Sequence, residues 1–309
     1  MNHQFHANGK LLLTGEYLVL QGAEAIGLPL RMGQTLKVKP IRHEDQLRWK
    51  SLIQEEILLE AIFSTRNFQI IHTSNKKPTY YIQYLLQKAL QYIPALAHVP
   101  PYDIIAELEF PLEWGLGSSA TLISNVSEWF NINPFRLNRE ITGGSGYDIA
   151  CAKSQRPIRY KLVDKFPHYR EIDIDLPFSD SLYFVYTGQK KDSENEVRQF
   201  IKENKDNSHL FPIIEEINHQ IIQTKTLEQF EKSLWEHEKI IAEILNTTPI
   251  KERTFGSFPG MVKSLGAWGG DFILMTWRGK REALIQYLAP YQMQTVFSWN
   301  EMVKNKQYA

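Results

Sequence analysis

Residues 102–130, YDIIAELEFPLEWGLGSSATLISNVSEWF, pass from a strand through a turn into a helix. Tyr102, Ile104, Ala106, Leu108 and Phe110 alternate with Asp103, Glu107 and Glu109, the period of a half-buried strand. Pro111 ends that strand, having no N–H to give to a ladder. Gly115-Leu116-Gly117-Ser118-Ser119-Ala120 follows, and then Leu122, Ile123, Val126, Trp129 and Phe130 recur at helical spacing. Ser118 or Ser119 is placed to cap this helix. The unpaired N–H groups of its first turn, and the positive end of its dipole, then point into the turn. Two glycines let a bulky anion come close to the backbone, so a phosphate is the natural guest.

Three kinds of phosphate loop compete for this stretch. A Walker A loop needs Gly-Lys followed by Ser or Thr, but Gly9-Lys10 precedes Leu11 and Gly279-Lys280 precedes Arg281. Gly115, Gly117 and Ala120 fit the dinucleotide fingerprint G-x-G-x-x-A. The strand before them alternates, however, where a central parallel strand would be apolar throughout. Glu140, the acidic residue at about the right distance, lies in no second strand. Taken alone, the loop could also be a glycine turn capping a core helix.

Three further stretches carry similar signals. Residues 7–20 hold short apolar runs around Thr14-Gly15-Glu16, read as strand, turn, strand, with Lys10 on the first. Residues 143–152 are Gly-Gly-Ser-Gly-Tyr-Asp-Ile-Ala-Cys-Ala, a sharp turn with Asp148 at the start of a helix, where it could serve as an N-cap. Near the C-terminus, Lys263-Ser-Leu-Gly-Ala-Trp-Gly-Gly-Asp271 precedes the apolar strand Phe272–Trp277, and could be a plain glycine hairpin.

In this order the motifs resemble those of the GHMP kinases, the superfamily of galactokinase, homoserine kinase, mevalonate kinase and phosphomevalonate kinase. Pro111-x-x-x-Gly115-Leu116-Gly117-Ser118-Ser119-Ala120 is similar to the family's phosphate loop. Gly9-Lys10 with Gly15-Glu16-Tyr17 is similar to its N-terminal signature, and residues 263–271 to its C-terminal glycine-rich loop. Tyr17, Gly144-Ser145-Gly146-Tyr147-Asp148 and Asp271 lean toward phosphomevalonate kinase. Leu265 and Trp268 depart from the pattern, Trp268 standing where the family has glycine; Trp268 is expected to wall the pocket or stack on a ligand. The segment before Asp148 is short, and Glu140 is a weak match for the acidic magnesium ligand of mevalonate kinases.

The resemblance implies an α+β fold of two domains with the site between them. Residues 1–165 would form the ribosomal-protein-S5-like N-terminal domain and 166–309 a ferredoxin-like C-terminal domain. It implies ATP bound by Gly115, Leu116, Gly117, Ser118, Ser119 and Ala120, with Mg²⁺ on Ser119. Asp148 would act on the acceptor. Lys10 would keep Asp148 ionised and stabilise charge on the transferred group. Glu16, Ser145, Gly146, Tyr147, Gly266 and Ala267 would meet the substrate. That substrate is expected to be mevalonate or 5-phosphomevalonate. A diphosphomevalonate decarboxylase, a sugar or homoserine kinase, and a nucleotide-binding pseudoenzyme are the alternatives.

Composition agrees with this class. The chain has 309 residues, more than one core usually serves, and 43% hydrophobic residues to fill two. Lys+Arg and Asp+Glu both number 35, which argues against a protein dominated by nucleic-acid phosphates. The lone Cys151 rules out an internal disulfide and a cysteine zinc site, and is read as a small buried residue. No apolar run is long enough for a bilayer and no signal peptide is read, so a cytoplasmic protein without a membrane partner is expected. Composition does not set the oligomeric state.

Elsewhere, strands are expected within 33–50 and at Arg159–Val163, Arg170–Ile174 and Leu182–Tyr186. Helices are expected at 54–63, 79–93, 194–204, 208–223 and 227–246. Glu236-His237-Glu238 shows no metal spacing and is read as a solvated helix face.

Overall fold

A computed structural model describes residues 2–42, 45–93, 99–188, 200–202, 206–266, 268 and 270–305. The chain forms two compact units that interleave in sequence. The first comprises Met1–Gly9, Met32–Leu112 and Leu116–Lys153; the second comprises Lys10–Arg31, Glu113–Gly115 and Ser154–Ala309.

The first unit is built on β1 (His3–Thr14), β2 (Ala25–Pro40), β3 (Gln46–Ile53), β4 (Glu56–Ser64), β5 (Ile70–Thr73) and β6 (Tyr102–Leu108). β1 and β2 run on into the second unit through Lys10–Thr14 and Ala25–Arg31. The strands lie in the order β5-β4-β3-β6-β2, with β1 also paired to β2. β3 and β6 are parallel; β2 and β6 are antiparallel, with Leu36 opposite Ala106 and Val38 opposite Ile104. Those four face a shared core with Trp49 and Phe63. Leu85 and Leu86 of α1 (Lys76–Gln91) and Ile123 and Val126 of α2 (Ser118–Trp129) cover it. α3 (Pro134–Ile141) and α4 (Tyr147–Lys153) pack against α2.

Two expected elements differ. Residues 54–63 are the return of a hairpin, not a helix. Gln54 and Glu55 both take left-handed φ, 48° and 72°, the requirement of the tight turn that matches strand twist. Beyond it Leu59, Ala61 and Phe63 are buried in alternation, a period of two. The second strand expected after Gly15 is instead a short 3₁₀ turn, Leu18–Gln21, between Tyr17 at φ 61° and Gly22 at φ 105°.

The second unit begins with the hairpin β7 (Ile158–Val163) and β8 (Phe166–Glu171), whose β7 pairs the first residues of β2, Ala25 opposite Tyr160. β9 (Leu182–Tyr186), α5 (Phe211–Gln223), α6 (Leu227–Ile244), α7 (Ile250–Thr254), β10 (Val262–Leu265), β11 (Phe272–Thr276), α8 (Arg281–Leu288), β12 (Val296–Ser298) and α9 (Trp299–Met302) follow. The order β10-β11-β9-β12, all antiparallel, is the ferredoxin-like arrangement expected. The expected helix 194–204 lies largely outside the described residues; 200–202 are helical. Among the described residues no helix is long and apolar enough to cross a membrane.

Candidate active site

The site residues expected in the first unit lie on or just before α2 and α4. The cap of α2 is Gly117, at φ 91°, not a serine; Ser118 and Ser119 are the first two helical residues. The reason is backbone geometry. The chain must enter the helix through a left-handed residue, which glycine adopts at no steric cost. Thr121 N is the first to bond back, to Gly117 O at 3.0 Å. The N–H groups of Gly117, Ser118, Ser119 and Ala120 therefore have no acceptor within the helix. Gly9 allows β1 to lie close to this loop: a Cβ there would stand 3.2 Å from Leu116 O.

Buried polar contacts hold α2 in place. The Thr121 hydroxyl lies 2.8 Å from both Ser118 O and Gln34 Oε1, and Asn125 Nδ2 donates to Gln34 O at 2.8 Å. The Ser119 hydroxyl is hydrogen-bonded to the Tyr81 hydroxyl of α1. Asp148 lies within the first turn of α4, half-buried, after Gly146 at φ 89°; it is not the N-cap. Ser145 and Tyr147 flank it, also half-buried. Cys151 on the same helix is buried.

Lys10, Gly115 and Asp271 come together in the second unit. Lys10 Nζ donates to Gly115 O at 3.1 Å. Gly115 has φ 64°, and a Cβ on it would stand 1.8 Å from Asp271 Oδ2, so that carboxylate rests on the bare glycine. Trp114 fixes the residue before, packing edge-on against Phe272 and Phe297. Gly266, at φ 66°, has open space around it, and Ala267 lies outside the described residues.

Glu16 is enclosed, 1% exposed, and does not open to solvent as a substrate contact would. Its Oε1 accepts from the buried Lys263 Nζ at 2.5 Å. Burial pushes its carboxyl up to about 7 despite the opposing pull of Lys263. Glu238 lies beside them, its Oε2 3.7 Å from Lys263 Nζ and its Oε1 accepting from Ser264 N; burial raises its pKa too. His237 Nε2 accepts from Gly15 N at 2.9 Å, so the ring is neutral with its proton on Nδ1. Burial, and then the Lys263 charge, hold it well below its ordinary pKa. The expected solvated face at 236–238 is therefore wrong for His237 and Glu238, which are fully buried. A strong burial signal was absent because Glu, His and Lys are residues that sequence reasoning places outside.

Trp268 is 5% exposed, in a core with Tyr17, Leu18 and Ile241, and its backbone N donates to the Tyr17 hydroxyl at 3.3 Å. It fills a core, where a pocket wall was expected. Glu140 accepts from the Tyr92 hydroxyl, which holds its carboxyl below the usual range, and pairs with Lys88 at 3.5 Å. Among the described residues no three His, Cys, Asp or Glu side chains could together hold a metal. Mg²⁺ asks for less, one or two protein oxygens with phosphates and waters, and the Ser119 hydroxyl, keeping a lone pair beside its Tyr81 bond, fits that demand.

No protein-family model matches the chain, and no curated protein matches it in sequence. Solved structures match its whole length. The Methanococcus jannaschii mevalonate kinase is similar over 99% of both chains at 20% identity, with a TM-score of 0.72. The Streptococcus pneumoniae phosphomevalonate kinase in complex with phosphomevalonate and AMPPNP is similar at 16% identity, over 96% of this chain and 99% of that one, TM-score 0.70. The Lactococcus lactis galactokinase complexed with galactose is similar at 13% identity, over 96% and 92%, TM-score 0.69. The chain thus has the GHMP kinase fold that its three motifs led us to expect.

Proposed function

We propose that this chain is an ATP-dependent phosphotransferase of the GHMP type, acting on mevalonate or 5-phosphomevalonate. The observation that carries the reading is the start of α2. Four successive N–H groups there lack a helical acceptor, on a left-handed Gly117 with the Ser119 hydroxyl beside them. Such an end is built for phosphate oxygens.

Phosphoryl transfer asks mainly for positioning and charge neutralisation. The N–H groups from Gly115 to Ala120 hold the ATP phosphates. Mg²⁺, with Ser119 as a protein ligand, would neutralise charge on those phosphates. Asp148 orients the acceptor and, where that is an alcohol, takes its proton as the oxygen attacks the γ-phosphorus and ADP leaves. Lys10 supplies positive charge to the transferred group. Ser145, Gly146 and Tyr147 then present the acceptor to Asp148. Tyr17 and Asp271 lean toward the mevalonate pathway by resemblance, yet here they support Trp268 and rest on Gly115. Acceptor choice accordingly falls to the 144–148 segment.

The test is ADP release from MgATP with mevalonate, 5-phosphomevalonate, 5-diphosphomevalonate, homoserine and galactose, beside Asp148→Asn. Carbon dioxide is followed for the third. Turnover with mevalonate or 5-phosphomevalonate, lost in Asp148→Asn, is the expected result. Failure to bind ATP overturns the reading.

A further inference from the structure

The turn Thr14–Tyr17 is held at every residue by a different part of the second unit. The Thr14 hydroxyl donates to Asn218 Oδ1 of α5 at 2.6 Å. Gly15 N donates to His237 of α6, Glu16 pairs with Lys263 of β10, and the Tyr17 hydroxyl accepts from Trp268 N. Thr14 ends the strand that carries Lys10. Lys263 lies on the strand that leads into the glycine loop, and Asp271 closes that loop. β10 and β11 pair with Leu265 opposite Phe272, which ties the two ends of the loop together.

These contacts form a closed ring: Lys10 on Gly115, Asp271 on Gly115, the loop back to Lys263, Lys263 to Glu16, and β1 back to Lys10. We infer that Glu16 and Lys263 are a positioning pair, whose buried bond closes this ring and fixes Lys10 and Asp271 on Gly115. The inference rests on the proposed kinase reading only in giving Lys10 a part in catalysis. A fully buried ion pair is seldom the cheapest way to hold a fold together, because desolvation offsets most of the Coulomb attraction. An apolar pair of the same volume would pack as well. What the ion pair adds is direction, a single geometry that a greasy contact would not impose. The surroundings are charged on one side only: Glu238 and the neutral His237 face the pair, so Lys263 is the one cation among these four side chains.

The test uses Glu16→Gln, Lys263→Met and the double variant, with three readouts. The first is thermal stability. The second is the acetylation rate of Lys10 relative to the exposed Lys280 in the same sample, read by mass spectrometry. The third is kcat and KM for MgATP with whichever acceptor turns over. Lys263→Met strands a buried carboxylate and should be strongly destabilised. The double variant removes both charges and should regain most of the stability. Lys10 should nevertheless be acetylated about five-fold faster, as its bond to Gly115 opens more often. On the same account kcat should fall about ten- to a hundred-fold with KM little changed, the signature of misplacement. A double variant with recovered stability, wild-type labelling and wild-type kcat overturns the inference, leaving the pair a purely structural contact. Where the Met variants do not fold, Glu16→Gln decides: faster labelling of Lys10 supports the inference and unchanged labelling overturns it. If the wild type turns over no acceptor, the kinase reading fails while the labelling arm still decides the positioning role.

Discussion

Gly115→Ala puts two separable costs at one position. The backbone there has φ 64°, and an L-residue in that left-handed region costs about 1–2 kcal/mol. The added Cβ would also stand 1.8 Å from Asp271 Oδ2 and 2.6 Å from its Cγ, distances no packed structure tolerates. Asp271 must therefore leave its rotamer, at about 0.5–1.5 kcal/mol. The sum is about 1.5–3.5 kcal/mol, read as a shift in urea midpoint at constant m-value. Gly266→Ala is the internal control. Its φ is 66°, but nothing lies within 4 Å of the new Cβ, so only the backbone cost applies, about 1–2 kcal/mol. Adding Asp271→Ala to Gly115→Ala should return the rotamer cost, because the truncated side chain ends at a Cβ 3.3 Å away. The double-mutant cycle should then show a coupling of about 1 kcal/mol, above the roughly 0.3–0.5 kcal/mol scatter of independent sites. A Gly115→Ala loss equal to that of Gly266→Ala, or an additive cycle, would refute the seat of Asp271 on Gly115.

Three other outcomes follow from the geometry. Glu16, raised to about 7 from an ordinary 4.5, contributes stability that is fully present below pH 4.5 and lost as pH rises through 7. His237, held below its ordinary 6.5, acts in the opposite sense, its contribution present above 6.5 and lost as pH falls. The stability difference between wild type and Glu16→Gln should accordingly decline by on the order of 3 kcal/mol between pH 4.5 and 7 in urea titrations, and a flat difference would contradict it. Tyr81→Phe removes the partner of the Ser119 hydroxyl; the fold should hold, while KM for MgATP rises about five-fold in initial-rate assays. Asn218→Leu leaves the buried Thr14 hydroxyl without its acceptor and should cost about 1–3 kcal/mol in the same urea assay.

Periodicity was a good guide where one face of an element is polar. Ile104, Ala106 and Leu108 of β6, and Leu85 and Ala89 of α1, alternate or recur as the chain spells them. It misled at 54–63, because Ile57-Leu58-Leu59 and Ala61-Ile62-Phe63 are apolar on both strand faces and carry no period of two. The positive φ at Gln54 and Glu55, which turns that hairpin, belongs to residues that seldom take it. The glycines and serines of 115–120 were legible as a type of backbone, but the cap fell on Gly117, one residue before the serines. The buried group around Glu16 was not legible. Its members Glu16, His237, Glu238 and Lys263 span 247 positions and are each of a type that normally lies in water. Only the folded chain shows that they pack together.

The interleaving of the two units also governs when the chain can finish folding. Lys10–Arg31 belong to the unit completed by Ser154–Ala309, and Glu16 must wait for Lys263. With synthesis at about 5–20 residues per second, those 247 positions take roughly 10–50 s to emerge. For most of that interval Leu18, buried in the finished protein, lacks Ile214, Ile241 and Trp268, which share its core. The nascent segment around Leu18 is thus a surface for a holding chaperone. A polypeptide released before β10 would keep this segment uncovered, so residues made long before their partners are the last to find their place.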